Sequence, residues 1–117
     1  MRALVFAAML LAGCDPGSFI EGRVVDTHGA PAVESRVRLR CPPGGPRSVE
    51  ERTDADGAFQ LFTLGCLLDE CVVVASGTGQ SQTQRRIAEI CTKTRPFCGC
   101  VQARTTLVLG GTGEQRP

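Results

Sequence analysis

The sequence predicts an all-β fold, an antiparallel β-sandwich of about seven short strands. Three observations predict it: apolar and polar residues alternate in several stretches, turn residues recur between those stretches, and no stretch carries a helical period. The 117 residues include 14 Gly and 7 Pro, both strong turn formers, with five Phe and no Trp or Tyr. We therefore expect one domain with a small aliphatic core between two sheets.

Two strands are predicted at the start of the domain. Residues 19–25 read FIEGRVV and are followed by the turn sequence DTHGAP. Residues 35–41 read SRVRLRC, so Val37 and Leu39 share one face of the strand with Cys41. The sequence PPGGP then ends this strand, because Pro lacks the backbone donor that a sheet requires.

Residues 48–53 and 58–62 predict a β-hairpin. They flank the sequence DADG, and an Asp-Gly turn tolerates the positive φ that tight hairpins require. Phe59 and Leu61 would then face the core together. We interpret the two aspartates of DADG as turn residues, because a calcium loop would need further oxygen ligands and a Glu in register.

The second half of the chain predicts three further strands, at 71–76, 82–90 and 101–109. Between the last two, residues 91–100 contain three cysteines, a Pro and a Gly. This composition favours a disulfide-linked loop over a strand. No helix is expected.

The first residues have the composition of a cleaved export signal. Arg2 precedes an apolar block at 3–13, whose 11 residues are fewer than the roughly 20 needed to span a bilayer. The block ends LAGC, which resembles the lipobox of bacterial lipoproteins. That resemblance implies removal of residues 1–13 and lipidation of Cys14, with palmitate among the acyl chains.

The resemblance also predicts an address and a domain order. The protein would be lipid-anchored in the bacterial cell envelope, on the periplasmic face of the inner or outer membrane or on the cell surface. A lipidated linker at 14–18 would precede a domain at 19–109, and residues 110–117 would form a flexible tail. The membrane, reached through the anchor, is thus the first predicted partner, with an envelope protein or a polysaccharide as a second.

The charge is nearly balanced, with 13 Lys and Arg against 12 Asp and Glu and an isoelectric point near 7.6. A balanced chain lacks the broad basic field that nucleic-acid binding requires. We therefore expect no nucleic-acid partner.

Of the seven cysteines, six remain when Cys14 is set aside. An even number in a small exported domain indicates disulfides, although sequence alone does not choose the pairing. The spacings C-x4-C and C-x6-C-x-C do not match the C-x2-C pairs of zinc sites, so no metal and no cofactor is expected. A redox or metal-binding role of the cysteine cluster stays as an alternative. The six are Cys41, Cys66, Cys71, Cys91, Cys98 and Cys100.

Three alternating arginines, Arg36, Arg38 and Arg40, form the most distinctive exposed feature of the predicted strands. Their guanidinium groups could bind carboxylates or phosphates in forked geometry, which makes this face a candidate anion-binding site. The competing interpretation is a solvated face whose arginines pair with Glu50 and Glu51 on a neighbouring strand.

His28 is the single histidine and lies in the predicted turn DTHGAP. It could act as a general base only if the fold brought a nucleophile and an orienting acid to it. We therefore expect no enzyme and no catalytic residue. A small envelope inhibitor or hydrolase-like protein that uses His28 or residues 91–100 is kept as an alternative.

Two stretches resemble the carboxypeptidase regulatory-like domain, a prealbumin-like (transthyretin-like) β-sandwich. The pattern G-x-V-x-D-x-x-G-x-P is matched by Gly22, Val24, Asp26, Gly29 and Pro31. The pattern T-x-x-D-G-x-F is matched by Thr53, Asp56, Gly57 and Phe59. The resemblance implies an accessory binding or structural module without catalytic residues. The chain departs from the family in its extra cysteines and in lacking the aromatic residue of the third strand.

Overall fold

The computed structural model describes residues 17–77 and 82–110. The predicted export signal, Cys14 and most of the predicted tail lie outside these residues. The described part contains eight strands and one helix of a single turn. The elements are β1 (Gly17–Val25), β2 (Arg36–Arg40), β3 (Val49–Arg52), β4 (Ala58–Leu64), β5 (Val72–Ser76), β6 (Gln82–Arg86), α1 (Ile87–Ile90), β7 (Cys91–Arg95) and β8 (Gly99–Val108).

The strands form two four-stranded sheets, which confirms the predicted sandwich. The first sheet has the order β4-β1-β8-β7 and the second has the order β3-β2-β5-β6. Neighbouring strands are antiparallel except β1 and β8, which are parallel, with Phe19 opposite Gln102 and Val25 opposite Val108. The first and last strands therefore run side by side in the same direction through the first sheet.

The two ends of the sandwich are distinct and are named here from the direction of β1. The proximal end is the end at which β1 begins, where Gly17 lies opposite Leu64 and β8 starts at Gly99. The distal end is the end at which β1 finishes. The strand directions place residues 65–71 and 96–98 at the proximal end and residues 26–35 and 53–57 at the distal end.

Alternating apolar side chains fill the space between the sheets, as the sequence predicts. Val37 and Leu39 of β2 are 0% exposed, and Phe59 and Leu61 of β4 are 6% and 1% exposed. Phe59 is the aromatic member of a core that is otherwise aliphatic apart from Cys71 and Cys100. The other members are Ile20, Val24, Leu67, Val73, Ala75, Ile87, Ile90, Ala103, Leu107 and Leu109.

The predicted hairpin at DADG is wrong. The turn is present, but β3 and β4 belong to different sheets, so the turn carries the chain across the sandwich. The carboxylate of Asp54 accepts the backbone N–H groups of Asp56 and Ala58, each at 2.9 Å, which satisfies the turn locally. Asp-Gly chemistry specifies the turn itself and does not require the flanking strands to pair.

Residues 87–100 also differ from the prediction. Residues 91–100 are not a loop: they form β7, a turn at 96–98 and the start of β8, with the Cys98 N–H donating to the Arg95 carbonyl at 3.1 Å. Just before them, α1 replaces the end of the strand predicted at 82–90. Ile87 and Ile90 are one helical turn apart and both are buried, so this single turn adds two side chains to the core.

At Gly22 the backbones of β1 and β8 approach closely. A Cβ atom at this position would overlap the carbonyl oxygen of Thr105, which lies opposite Gly22 in the parallel pair. Two residues on, Val24 is fully buried, and Pro31 forms an isolated bridge with Val25. The residues of the first motif thus have structural roles that are independent of any ligand.

Candidate functional site

All six described cysteines are paired, as their even number predicts. Two of the three disulfides close sequence separations of 30 and 32 residues, and the third closes nine. They join β2 to β5, the loop 65–71 to the turn 96–98, and β7 to β8, all toward the proximal end. As disulfides, these sulfur atoms are not available as thiolate ligands. The pairs are Cys41–Cys71, Cys66–Cys98 and Cys91–Cys100.

The predicted anion-binding face lies on the outer side of the second sheet. Arg36 Nε lies 3.2 Å from Glu50 Oε2, as the solvated-face interpretation expects. Arg38 Nε is buried and has no hydrogen-bond partner among the described residues. Arg40 is exposed at the end of β2. The three guanidinium groups therefore have different surroundings.

Arg38 also covers apolar surface. Val74 is 0% exposed yet alternates with the core residues Val73 and Ala75, so it points to the outer face of the sheet. Its cross-strand neighbours are Arg38 on one side and Gln84 on the other. The aliphatic part of an arginine side chain can shield such a residue from water. Arg38 is thus placed to shield Val74 from water. Anion binding at this face stays a prediction.

Two turns with the same hydrogen bonds lie at the distal end. In DTHGA, Asp26 Oδ1 accepts the backbone N–H groups of His28 at 2.8 Å and Ala30 at 3.0 Å, and the Asp54 carboxylate does the same in DADGA. The bonds from Ala30 and His28 hold the pKa of Asp26 below its usual range. This stabilisation of the turn is present above the pKa of the unfolded chain and is lost as pH falls through the lowered folded pKa.

His28 is therefore an exposed turn residue, far from the other residues of the predicted enzymatic alternative. The turn within 91–100 lies at the proximal end and His28 lies at the distal end, so the fold does not bring them together. Within residues 17–77 and 82–110, no three His, Cys, Asp or Glu side chains are grouped as metal ligands.

A cleft of about 260 Å³ lies on the outer face of the first sheet. Phe19 lines one side, and its ring centroid is 5.0 Å from that of Phe62 on the next strand. Glu21 and Arg104 form an ion pair at the cleft, with Arg104 Nε donating to Glu21 Oε2 at 3.1 Å. The lining residues are Phe19, Glu21, Gln60, Thr92, Gln102, Ala103 and Arg104.

The chemistry of this cleft suits a polar ligand with one apolar face. Gln60 and Gln102 each present an amide donor and an amide acceptor. The Glu21–Arg104 ion pair combines two opposite charges and has no net charge. The half-exposed ring of Phe19 supplies flat apolar surface beside them. A few polar groups placed next to an aromatic ring are typical of ligand sites.

No motif in the sequence predicts this cleft. Apart from Thr92 on β7 and the core residue Ala103, the lining residues lie at outward positions of β1, β4 and β8, which alternation alone could have identified. Their proximity depends on the strand order β4-β1-β8, in particular on the parallel pairing of the first and last strands. No local sequence signal specifies that pairing.

The geometry defines the class of protein: a disulfide-linked β-sandwich of two four-stranded sheets with a cleft on one outer face. Within the part of the chain that the structure describes, no helix is long and apolar enough to cross a membrane. No family model and no curated protein matches the chain.

Solved structures with a similar fold include dioxygenases. The dioxygenase domain of a dioxygenase carbohydrate-binding protein fusion from Streptomyces sp. SirexAA-E matches with a TM-score of 0.57 and 16% identity, over 80% of this chain and 79% of that chain. Hydroxyquinol 1,2-dioxygenase from Pseudomonas putida DLL-E4 matches with a TM-score of 0.55 and 12% identity. That match spans 80% of this chain and 56% of the enzyme. At these identities the likeness concerns the fold alone.

Proposed function

We propose that this chain is a lipid-anchored binding module of the bacterial envelope, without catalytic activity of its own. The observation that carries the proposal is the state of the cysteines. Six of the seven are paired within the sandwich, which leaves Cys14 as the odd cysteine, at the end of the apolar block 3–13.

The three disulfides support an extracytoplasmic location. Disulfides persist in oxidising compartments such as the bacterial periplasm and are rare in the cytosol, where thiols are kept reduced. An export signal at residues 1–13 is consistent with that location. The apolar block and the three disulfides together support the proposed export.

Lipidation of Cys14 would hold the module to a membrane. Each buried methylene contributes about 0.8 kcal/mol, so one acyl chain binds only marginally whereas two or three on one residue release very slowly. An unpaired exposed thiol would otherwise be a liability in an oxidising compartment. Acylation removes that liability and supplies the anchor.

Intact-mass analysis of the full chain, expressed in a Gram-negative bacterium and extracted from membranes, tests the anchor. We expect a chain that has lost residues 1–13 and gained acyl mass on Cys14. Alkylation should add nothing before reduction and six groups after it, one for each cysteine of the three disulfides. A Cys14→Ser control should keep its disulfides and lack the acyl mass. An unacylated chain that retains its leader would refute the proposal.

The binding half of the proposal places the ligand in the cleft between Phe19 and Arg104. A hydroxyl-rich envelope polysaccharide matches the cleft, because its hydroxyl groups can bond both the amides and the ion pair while its ring faces contact Phe19. Because the Glu21–Arg104 pair has no net charge, it favours a ligand held by hydrogen bonds to its sugar groups over one held by its charge.

Co-sedimentation with insoluble peptidoglycan tests this site. The double substitution Gln60→Ala and Gln102→Ala should lower the affinity about tenfold or more, since each lost hydrogen bond is worth roughly 1 kcal/mol. Gln82→Ala, which removes an exposed amide from the second sheet, is the matched control and should bind normally. If the wild type stays in the supernatant, the ligand class is wrong. Equal binding by all three proteins would place the site elsewhere.

A further inference from the structure

Phe97 is fully exposed at the tip of the turn between β7 and β8. Its φ is 61°, in the left-handed region that glycine and asparagine adopt more easily than a bulky residue. Folding alone would favour a small or polar residue here, because Phe97 buries nothing and strains the backbone. The Phe97 side chain thus adds nothing to the fold and is free to contact a partner.

The turn is held in place by the proximal disulfides. Cys98, the residue after Phe97, is bonded to Cys66, and Cys100 two residues on is bonded to Cys91. Cys100 also exchanges backbone hydrogen bonds with Leu67, at 2.8 and 3.3 Å. Phe97 is thus projected from the proximal end on a cross-linked base.

Other exposed side chains at the proximal end are apolar or positively charged. Leu64, at the proximal end of β4, is 66% exposed. Lys93 and Arg95 are exposed on β7, the strand that leads to the turn. Asp69 and Glu70 are also at this end, on the loop that leads to the second sheet. The β7 strand and its turn therefore bring basic groups close to the exposed ring of Phe97, while the two carboxylates lie on the loop to the second sheet.

The distal end is more acidic. Its described loops, residues 26–35 and 53–57, carry four carboxylates, one of which, Glu34, lies 4.0 Å from Arg52 at the end of β3. Such a surface would be repelled by anionic lipids, whereas basic residues are attracted to them. The four are Asp26, Glu34, Asp54 and Asp56.

The chain brings Cys14 to the proximal end. Gly17 begins β1 there, and three peptide units span at most about 11 Å. Ser18, the next residue, donates through Oγ to the carbonyl of Gly65, which is adjacent to Cys66. The anchor and the Phe97 turn therefore belong to the same end of the molecule.

We propose that the proximal end rests on the bilayer surface, with the Phe97 side chain inserted into the interface as a second contact beside the Cys14 anchor. This inference rests on the proposed lipid anchor. Phe is among the apolar residues that interfacial segments bury at the headgroup boundary, and an apolar contact there adds to the hold of acyl chains. Lys93 and Arg95 would meet the headgroups of anionic lipids. The cleft would then stand beside the membrane with its opening to the side.

The test uses two single-tryptophan variants of the full chain, which contains no natural Trp. Phe97→Trp reports the proximal end. Val33→Trp, at a 54% exposed position in the distal loop 26–35, is the matched control. Each is reconstituted into vesicles of phosphatidylethanolamine and phosphatidylglycerol, with and without brominated acyl chains. We expect the tryptophan emission of Phe97→Trp to shift to shorter wavelength when the protein is bound to vesicles. In vesicles with brominated acyl chains, it should also lose most of its intensity. The emission of Val33→Trp should change in neither respect.

Unquenched emission from Phe97→Trp, equal to that of Val33→Trp, would overturn the inference. Intact mass of the same preparations reports the anchor separately. Acylated protein with an unquenched indole would leave the anchor standing and refute the lipid contact. Unacylated protein with a quenched indole would refute the anchor and support the contact, and unacylated protein with an unquenched indole would refute both.

Discussion

Replacing Gly22 by alanine is expected to destabilise the domain by at least about 3 kcal/mol. The added methyl group would overlap the carbonyl oxygen of Thr105, and this oxygen belongs to the backbone of the neighbouring strand. Relief requires β1 and β8 to separate, which disrupts the pairing at the centre of the first sheet. A small domain has only about 5–15 kcal/mol of stability, so this substitution should remove between about a fifth and about three fifths of it.

Urea unfolding with the disulfides intact measures this effect. Gly44→Ala is the matched control, because a Cβ at Gly44 meets nothing within 4 Å and its φ of 93° costs an alanine only about 1–2 kcal/mol. If Gly22→Ala proved no less stable than Gly44→Ala, β1 and β8 would not approach as closely as described.

Removal of the Cys41–Cys71 disulfide by double alanine substitution should cost about 3.6 kcal/mol from chain entropy alone, given its separation of 30 residues. Cys71 is also fully buried in the core, so the loss of two sulfur atoms adds a packing cost. We expect this to be the most damaging of the three disulfide deletions.

The other two pairs serve as controls of loop length and burial. Cys66–Cys98 closes a similar 32 residues between half-buried positions, so its removal should cost the entropic part without the packing part. Cys91–Cys100 closes nine residues, for which the same relation gives about 2.6 kcal/mol, and the loss of the buried Cys100 adds a packing cost as the loss of Cys71 does. Equal free energies of unfolding for all three double variants would contradict the expected effects of loop length and of burial.

Local patterns in the sequence were sufficient to predict most strands. The alternation in SRVRLRC placed Val37 and Leu39 in the core, and AFQLF did the same for Phe59 and Leu61. Both turn sequences with an Asp and a Gly form turns, since their hydrogen bonds involve only neighbouring residues. The cysteine count predicted disulfides because an even number in a small domain is itself a signal.

Features that depend on distant parts of the chain were not predicted. DADG formed its turn without a hairpin because the partner of β3 is β2 and the partner of β4 is β1. The cysteines of 91–100 indicated a loop, yet the Cys91–Cys100 disulfide joins two paired strands. Predicting the cleft beside Phe19 would have required knowing that the first and last strands are neighbours.

That adjacency of β1 and β8 has a mechanical consequence. Because the two strands are parallel, the chain enters β1 at the proximal end and leaves β8 at the distal end, and the strands are joined along seven residue pairs, from Phe19 with Gln102 to Val25 with Val108. If the start of the domain were held at a membrane and a load pulled on its last strand, the force would act along these strands. The backbone hydrogen bonds between β1 and β8 would then be loaded in shear. They would have to break together instead of one after another. The topology therefore favours a domain that resists extension between its two termini.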